Sequence, residues 1–127
     1  MSSNGNLMDA LGIEIIEVGL EKVIAKMPVD NRTIQPYGIL HGGATAALAE
    51  TVGSIGAFQH VRERNGVPVG LELSINHLKS MRNGHVWAEA SPLHIGKSTH
   101  LWEIHCWNEV KERVAYAKLT VMIKYEK

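Results

Sequence analysis

The sequence has little of what marks several common classes of protein. Its single cysteine, Cys106, excludes an intrachain disulfide and fits a reducing compartment. Neither sign of charge dominates: 13 Lys and Arg stand against 13 Asp and Glu, so no net field points to nucleic acid or an anionic membrane. That balance still leaves room for a local basic patch around one anionic ligand. No run approaches the ~18–20 apolar residues of a membrane helix. The opening, Met1-Ser-Ser-Asn-Gly-Asn, has no basic stretch followed by an apolar one, so no secretory signal is expected. An HExxH pair, a Cys/His cluster, a G-x-S-x-G elbow and a phosphate loop are all missing. Those absences argue against a metal site, a Ser-His-Asp hydrolase and a nucleotide-binding enzyme. A soluble cytoplasmic protein is expected.

What is present predicts one domain over residues 1–127, long enough for a core of its own. Residues 1–12 read as a loose tip with a short helical turn around Leu7–Leu11. Ile13–Val18 and Lys22–Val29 alternate as strands, and Asn31–Leu40 reads as a loop. The stretch from His41 to about Asn65 predicts one long helix, stopped at Asn65-Gly66. Val67–Leu78 then alternates, with Val67, Val69, Leu71, Leu73, Ile75 and His77 expected on one face. Arg82-Asn83-Gly84 reads as a hairpin turn before His85–Leu93, and Leu101–Val110 and Val114–Tyr125 complete a four-strand meander. The order predicts an α+β fold with an antiparallel sheet. One helix covers only one face of such a sheet, yet Leu101 and Trp107 alternate with Trp102, Ile104 and Cys106. Both faces therefore carry large apolar groups, which predicts self-association.

The helix holds the candidate chemistry. From Ala44 to Phe58 every residue is apolar, small or hydroxylic except Glu50. A carboxylate on a largely buried helix costs several kcal/mol unless paired or protonated, and suits a general base or nucleophile. A hydrogen-bonded structural Glu is the alternative. Leu40-His41-Gly42-Gly43 leads into the helix, where free backbone N–H groups carry partial positive charge and glycine leaves them unobstructed. That is a possible oxyanion hole, or simply a glycine-rich helix entry. Glu50 lies about 12 Å of rise further on. A carbonyl held at the helix start would therefore meet the carboxylate of a facing, antiparallel helix, not of its own. Ser54, one turn after Glu50, could orient the carboxylate or allow close packing. Gln35 in the preceding loop and His77 on an apolar face are weaker signals.

Taken together, Gln35, Gly38-Ile39-Leu40-His41-Gly42-Gly43, Glu50, Ser54, and Val69-Gly70-Leu71-Glu72 through Asn76-His77 resemble the hot-dog-fold thioesterases. Within them the pattern is similar to the phenylacetate-degradation-type branch, which includes 1,4-dihydroxy-2-naphthoyl-CoA hydrolases and the enterobactin-pathway proofreading thioesterase. The resemblance runs from about residue 7 to 124. Pro92-Leu93-His94-Ile95-Gly96-Lys97-Ser98-Thr99 also resembles the loop beside coenzyme A in that branch.

The resemblance implies a sheet wrapped around one long helix, with active sites between the subunits of a dimer or tetramer. Glu50 would be the nucleophile or general base, and the Gly42 N–H would polarise the thioester carbonyl with Gln35 and His41 assisting. Ser54 and His77 would line the acyl or water site, near Gly70. His77, Leu78, Lys79 and Ser80, and His94, Ile95, Gly96, Lys97, Ser98 and Thr99, would contact coenzyme A. By their charge Lys79, Arg82 and Lys97 are candidate phosphate partners. The implied reaction is hydrolysis of an acyl-CoA, aromatic in this branch, with coenzyme A as part of the substrate and no cofactor. An acyl carrier protein is an alternative bearer of the thioester. Two other activities share the fold: a non-catalytic acyl-CoA sensor, and a dehydratase or hydratase, whose Gly-His-Phe-Pro type motif is absent here.

Overall fold

The computed structural model describes residues 5–125. A short helix α1 (Leu7–Leu11) leads into the strands β1 (Glu14–Val18) and β2 (Val23–Pro28). Then come the long helix α2 (Gly42–Val61), a 3-10 turn at Arg62–Arg64, and four strands: β3 (Gly66–His77), β4 (His85–Ile95), β5 (Thr99–Trp107) and β6 (Arg113–Tyr125). The expected helical turn at Leu7–Leu11 is present; the part of the tip over residues 1–4 lies outside the described residues.

The strands form one antiparallel sheet in the order β1-β2-β4-β5-β6-β3, with α2 packed on one face. Alternation explains the seat of the helix. Val23, Ala25 and Met27 of β2, Val86, Ala88 and Ala90 of β4, and Trp102, Ile104 and Cys106 of β5 point inward and are buried with Leu48 and Val52 of α2. Each large side chain so buried contributes about 1.5–3 kcal/mol. Small residues let helix and sheet approach: a Cβ on Gly56 would stand 2.6 Å from the Trp102 ring. Leu101 and Trp107 face the other way, as the alternation predicts, and are half-buried.

Three details differ from the sequence reading. The turn at Arg82-Asn83-Gly84 does not close a hairpin. β3 pairs with β6 at one edge of the sheet while β4 pairs with β2, so residues 78–84 cross over. The helix stops on Asn65 in the left-handed conformation (φ 58°), which the short polar side chain tolerates, and Gly66 already begins β3.

The third difference concerns β3 itself. Its alternation is broken by a bulge between Gly70 and Glu72, which leaves Leu71 without a partner in β6. One extra residue exchanges the faces of everything beyond it. Before the bulge Gly66 and Pro68 point inward and Val67 and Val69 are exposed; after it Leu73 and Ile75 pack against the core. Six residues expected on one face are thus split between two.

Candidate active site

α2 presents one stripe that the sheet leaves open. Ala47, Glu50, Thr51, Ser54, Ile55 and Phe58 recur at helical spacing and line a pocket of about 500 Å³. Pro68 of β3 and Leu7 and Met8 of α1 close its sides. Glu50 is exposed here, so the expected burial in an apolar helix is corrected. The helix buries the face carrying Leu48, Val52 and Gly56, and Glu50 lies off that face. Desolvation within one chain therefore does not single Glu50 out. Its position does: a Cβ on Gly70 would stand 2.5 Å from Glu50 Oε2, so the bulged strand runs its bare backbone against the carboxylate.

The helix start forms a second hollow, of about 450 Å³. It brings together Gln35, Gly42, His77, Leu78, Lys79 and Ser80, six of the residues singled out above, with Thr45 and Val114. Gly42 is the first helical residue, and among the described residues no acceptor faces its N–H. The His77 ring packs where a Gly42 side chain would be, its Nε2 2.9 Å from that Cβ position. His41 takes another place from the expected one: as N-cap its Nδ1 accepts from the Gly43 N–H at 2.8 Å, so it orders the helix entry, and it is not among the pocket's lining residues. Gln35 sits in a tight turn, its N–H donating to Ile39 O and its carbonyl accepting from Gly38 N–H.

The basic candidates are spread out. Lys79 Nζ lies 3.6 Å from Glu112 Oε2, an exposed pair, and a hydrogen bond from Asn108, with the pull of Lys79 second, lowers the Glu112 carboxyl from its usual value. Arg82 is exposed in an adjoining hollow that shares Ser80. His94 and Ile95 end β4, and Gly96–Ser98 turn into β5, where Tyr125 Oη donates to Lys97 O. In one chain this turn and the Lys79–Arg82 segment lie at opposite ends of β6, near Ile123 and Val114 respectively, about 30 Å apart. Glu50 and Gly42 likewise line separate pockets. Among the described residues no group of three His, Cys, Asp or Glu side chains is placed to share a metal ion.

The profile of the Thioesterase superfamily matches residues 37–115, which take in Gly42, Glu50, Ser54, Gly70 and His77. The chain belongs to that superfamily. The proofreading thioesterase EntH of Cronobacter turicensis is 41% identical over 122 residues, covering 96% of this thioesterase and 88% of the relative. The 1,4-dihydroxy-2-naphthoyl-CoA hydrolase of Escherichia coli is 39% identical over 119 residues, covering 94% and 87%. The crystal structure of thioesterase HI1161 from Haemophilus influenzae superposes with a TM-score of 0.92 at 38% identity, over 96% of this chain and 85% of the other. The expected fold is therefore present: this thioesterase has the hot-dog architecture, one long helix held in an antiparallel sheet, and it is a hydrolase. Among the described residues no helix is long and apolar enough to cross a membrane.

Sequence reasoning missed the residues that line the pocket around Glu50. Ala47, Thr51, Ile55 and Phe58 could have been found by extending the Glu50–Ser54 stripe one turn each way. No local signal ties Leu7 and Met8 to it, because their approach depends on how the two ends of the sheet close around α2.

Proposed function

We propose that this thioesterase hydrolyses an aromatic acyl-CoA, such as 1,4-dihydroxy-2-naphthoyl-CoA or a hydroxybenzoyl- or phenylacetyl-CoA-like thioester, at sites shared between paired chains. One observation carries the proposal. The two candidate halves of the site sit on the same open edge strand, with Gly70 against Glu50 and His77 against Gly42. Seven residues of strand separate them, roughly 23 Å, too far for one carbonyl to touch both. Among the described residues β3 has no neighbour on its outer side, and Val67, Val69 and Leu71 are exposed. Such an edge is a ready template for another strand. Antiparallel pairing of two β3 strands, centred between Leu73 and Ser74, sets Gly70 of one chain opposite His77 of the other. Glu50 then faces the Gly42 N–H across the pair, twice, by two-fold symmetry. The half-buried Leu101 and Trp107 on the outer sheet face support a further pairing into a tetramer.

The chemistry follows from that placement. The Gly42 N–H, backed by the positive end of α2 and by the Gln35 amide, takes the thioester oxygen as it gains charge. Glu50 delivers the attack on the carbonyl carbon, directly or by taking a proton from water, with Ser54 ordering the water. On either route one water is consumed, the C–S bond breaks, and the free acid and the coenzyme A thiol leave. The thiolate is a good leaving group, so no strong general acid and no metal or organic cofactor is called on. Lys79 and Arg82 of one chain, and Lys97 with the His94–Thr99 turn, serve the phosphates and arm of coenzyme A. The apolar lining beside Glu50 and the named substrate of the Escherichia coli relative support an aromatic acid. The single thiol supports a cytoplasmic setting.

Thiol release from a panel of aryl-CoA, fatty acyl-CoA and acylated carrier-protein substrates tests the reading, with Glu50→Ala alongside. Aryl-CoA should lead the panel, and the variant should abolish its turnover. Faster release from the carrier protein would replace the substrate, and tight binding of acyl-CoA without release would replace hydrolysis by sensing.

A further inference from the structure

We infer that Leu7 and Met8 of α1 form the far wall of the acyl site and set how large an acyl group the enzyme accepts; this rests on the thioesterase reading above. Both side chains line the pocket that holds Glu50, although they lie more than forty positions away in sequence. Among the described residues no charged side chain other than Glu50 lines that pocket, which suits a ligand that is uncharged in the part remote from the carbonyl.

In the paired arrangement the facing helices are centred near residue 46, and the partner helix starts opposite Glu50. Beyond Glu50 the stripe Ser54, Ile55, Phe58 runs on for about 12 Å of rise without a partner helix over it. That length accepts an aryl ring or a medium alkyl chain lying along α2. Leu7 is 61% exposed and Phe58 37%. Two apolar side chains left open on either side of a slot gain burial only when an apolar group enters between them.

α1 is anchored at its base, as a wall requires. None of its residues is buried. Its end is held where Gly12 adopts φ 73° and packs beneath Arg32, whose guanidinium forks onto Asp30 at 2.7 Å. Leu11 and Ile13 join the core. The first turn, with Leu7 and Met8, therefore projects toward the pocket from a fixed hinge point.

The test is equilibrium binding of S-alkyl-CoA thioethers, ethyl to decyl, and of S-benzyl-CoA, which bind without being cleaved. The wild-type chain should gain roughly threefold to fivefold in affinity per methylene over the lengths that reach α1. In Leu7→Ala/Met8→Ala the ratio of ethyl to octyl dissociation constants should fall at least tenfold. The swap Leu7→Met/Met8→Leu, which keeps the volume, should retain the ratio. An unchanged ratio in the alanine variant overturns the wall, as does wild-type affinity that ignores chain length. Acyl-CoA turnover measured in parallel separates the two readings. Absent turnover with a fallen ratio removes hydrolysis and keeps the wall; turnover with an unchanged ratio keeps hydrolysis and removes the wall.

Discussion

The backbone of Gly70 lies against the carboxylate of Glu50, so close that a methyl group on Gly70 would stand 2.5 Å from Oε2. Gly70 continues the inward-pointing set of Gly66 and Pro68 just before the bulge, and only a residue without a side chain fits between strand and carboxylate. Gly70→Ala should therefore displace Glu50 by about 1 Å. Displacements of that size cost catalysts about a hundredfold. The expected result is kcat lowered tenfold to a hundredfold with the melting temperature nearly unchanged. A variant of wild-type kcat would show that the carboxylate position is not critical.

Removing the carboxylate itself should be more severe. Glu50 is exposed and holds no structural contact in the core, so Glu50→Ala should leave the fold intact while lowering turnover by two orders of magnitude or more. Thiol release and circular dichroism on the same sample check both halves of the statement.

Sharing of the site can be read by mixing two inactive chains. Glu50→Ala lacks the proposed catalytic carboxylate, and Gly42→Val crowds the helix start and the His77 ring. After exchange of subunits, half of a random mixture is heterodimer, and each heterodimer contains one site with both parts intact. About one quarter of wild-type activity should return. Activity that stays at the level of the separate variants would place both halves of the site in one chain. Light scattering at micromolar concentration should also exclude a monomer.

His100 predicts the acid limit of the fold. It is buried, its Nε2 has no partner among the described residues, and its Nδ1 receives only a long 3.5 Å contact from Trp102 Nε1. Desolvation first, then the nearby charges of His60, Arg64 and His94, lowers its pKa below the usual imidazole value. A base whose pKa is depressed by folding binds protons more readily when unfolded. Stability is thus full above about pH 6.5 and falls as pH drops from there toward the folded pKa. The melting temperature should decline from pH 7.5 to pH 5, and His100→Phe should flatten that decline. An equal slope in the variant would assign the acid sensitivity to other groups.

Cys106 should stay silent in the same experiments. It is buried on β5, and desolvation pushes its thiol up to about 12, so almost none is thiolate at neutral pH. A thiol reagent should find no reactive group in the folded chain and one per chain after denaturation. A fast native reaction would contradict the burial.

Much of this arrangement was legible in the sequence, for identifiable reasons. α2 could be read because thirteen residues of apolar and small side chains between Gly42 and Asn65 leave few other conformations, and the strands because β2 and β5 alternate strictly. Gln35, Gly42 and His77 meet in one hollow, as their common pattern implied. Illegible were the features that depend on the third dimension. The crossover at Arg82-Asn83-Gly84 has the local chemistry of a hairpin, and only the competition for β2 decides against it. The bulge has no residue signature beyond Gly70 itself. Glu50 looked buried because periodicity does not distinguish a face that meets a sheet from one lined with small residues and left open.

The edge position of β3 also bears on how the chain assembles. β3 leaves the ribosome before its only partner in the sheet, β6, has been made; Gly66 waits for Tyr125. Roughly fifty to sixty residues intervene, which at ordinary synthesis rates is about 3–12 s. During that interval Val67, Val69 and Leu71 have no strand on either side. β4 and β5 can meanwhile close by a short hairpin, so β3 docks only after β6 has followed. Newly made chains are then most exposed to mispairing at the very segment on which two finished chains would meet.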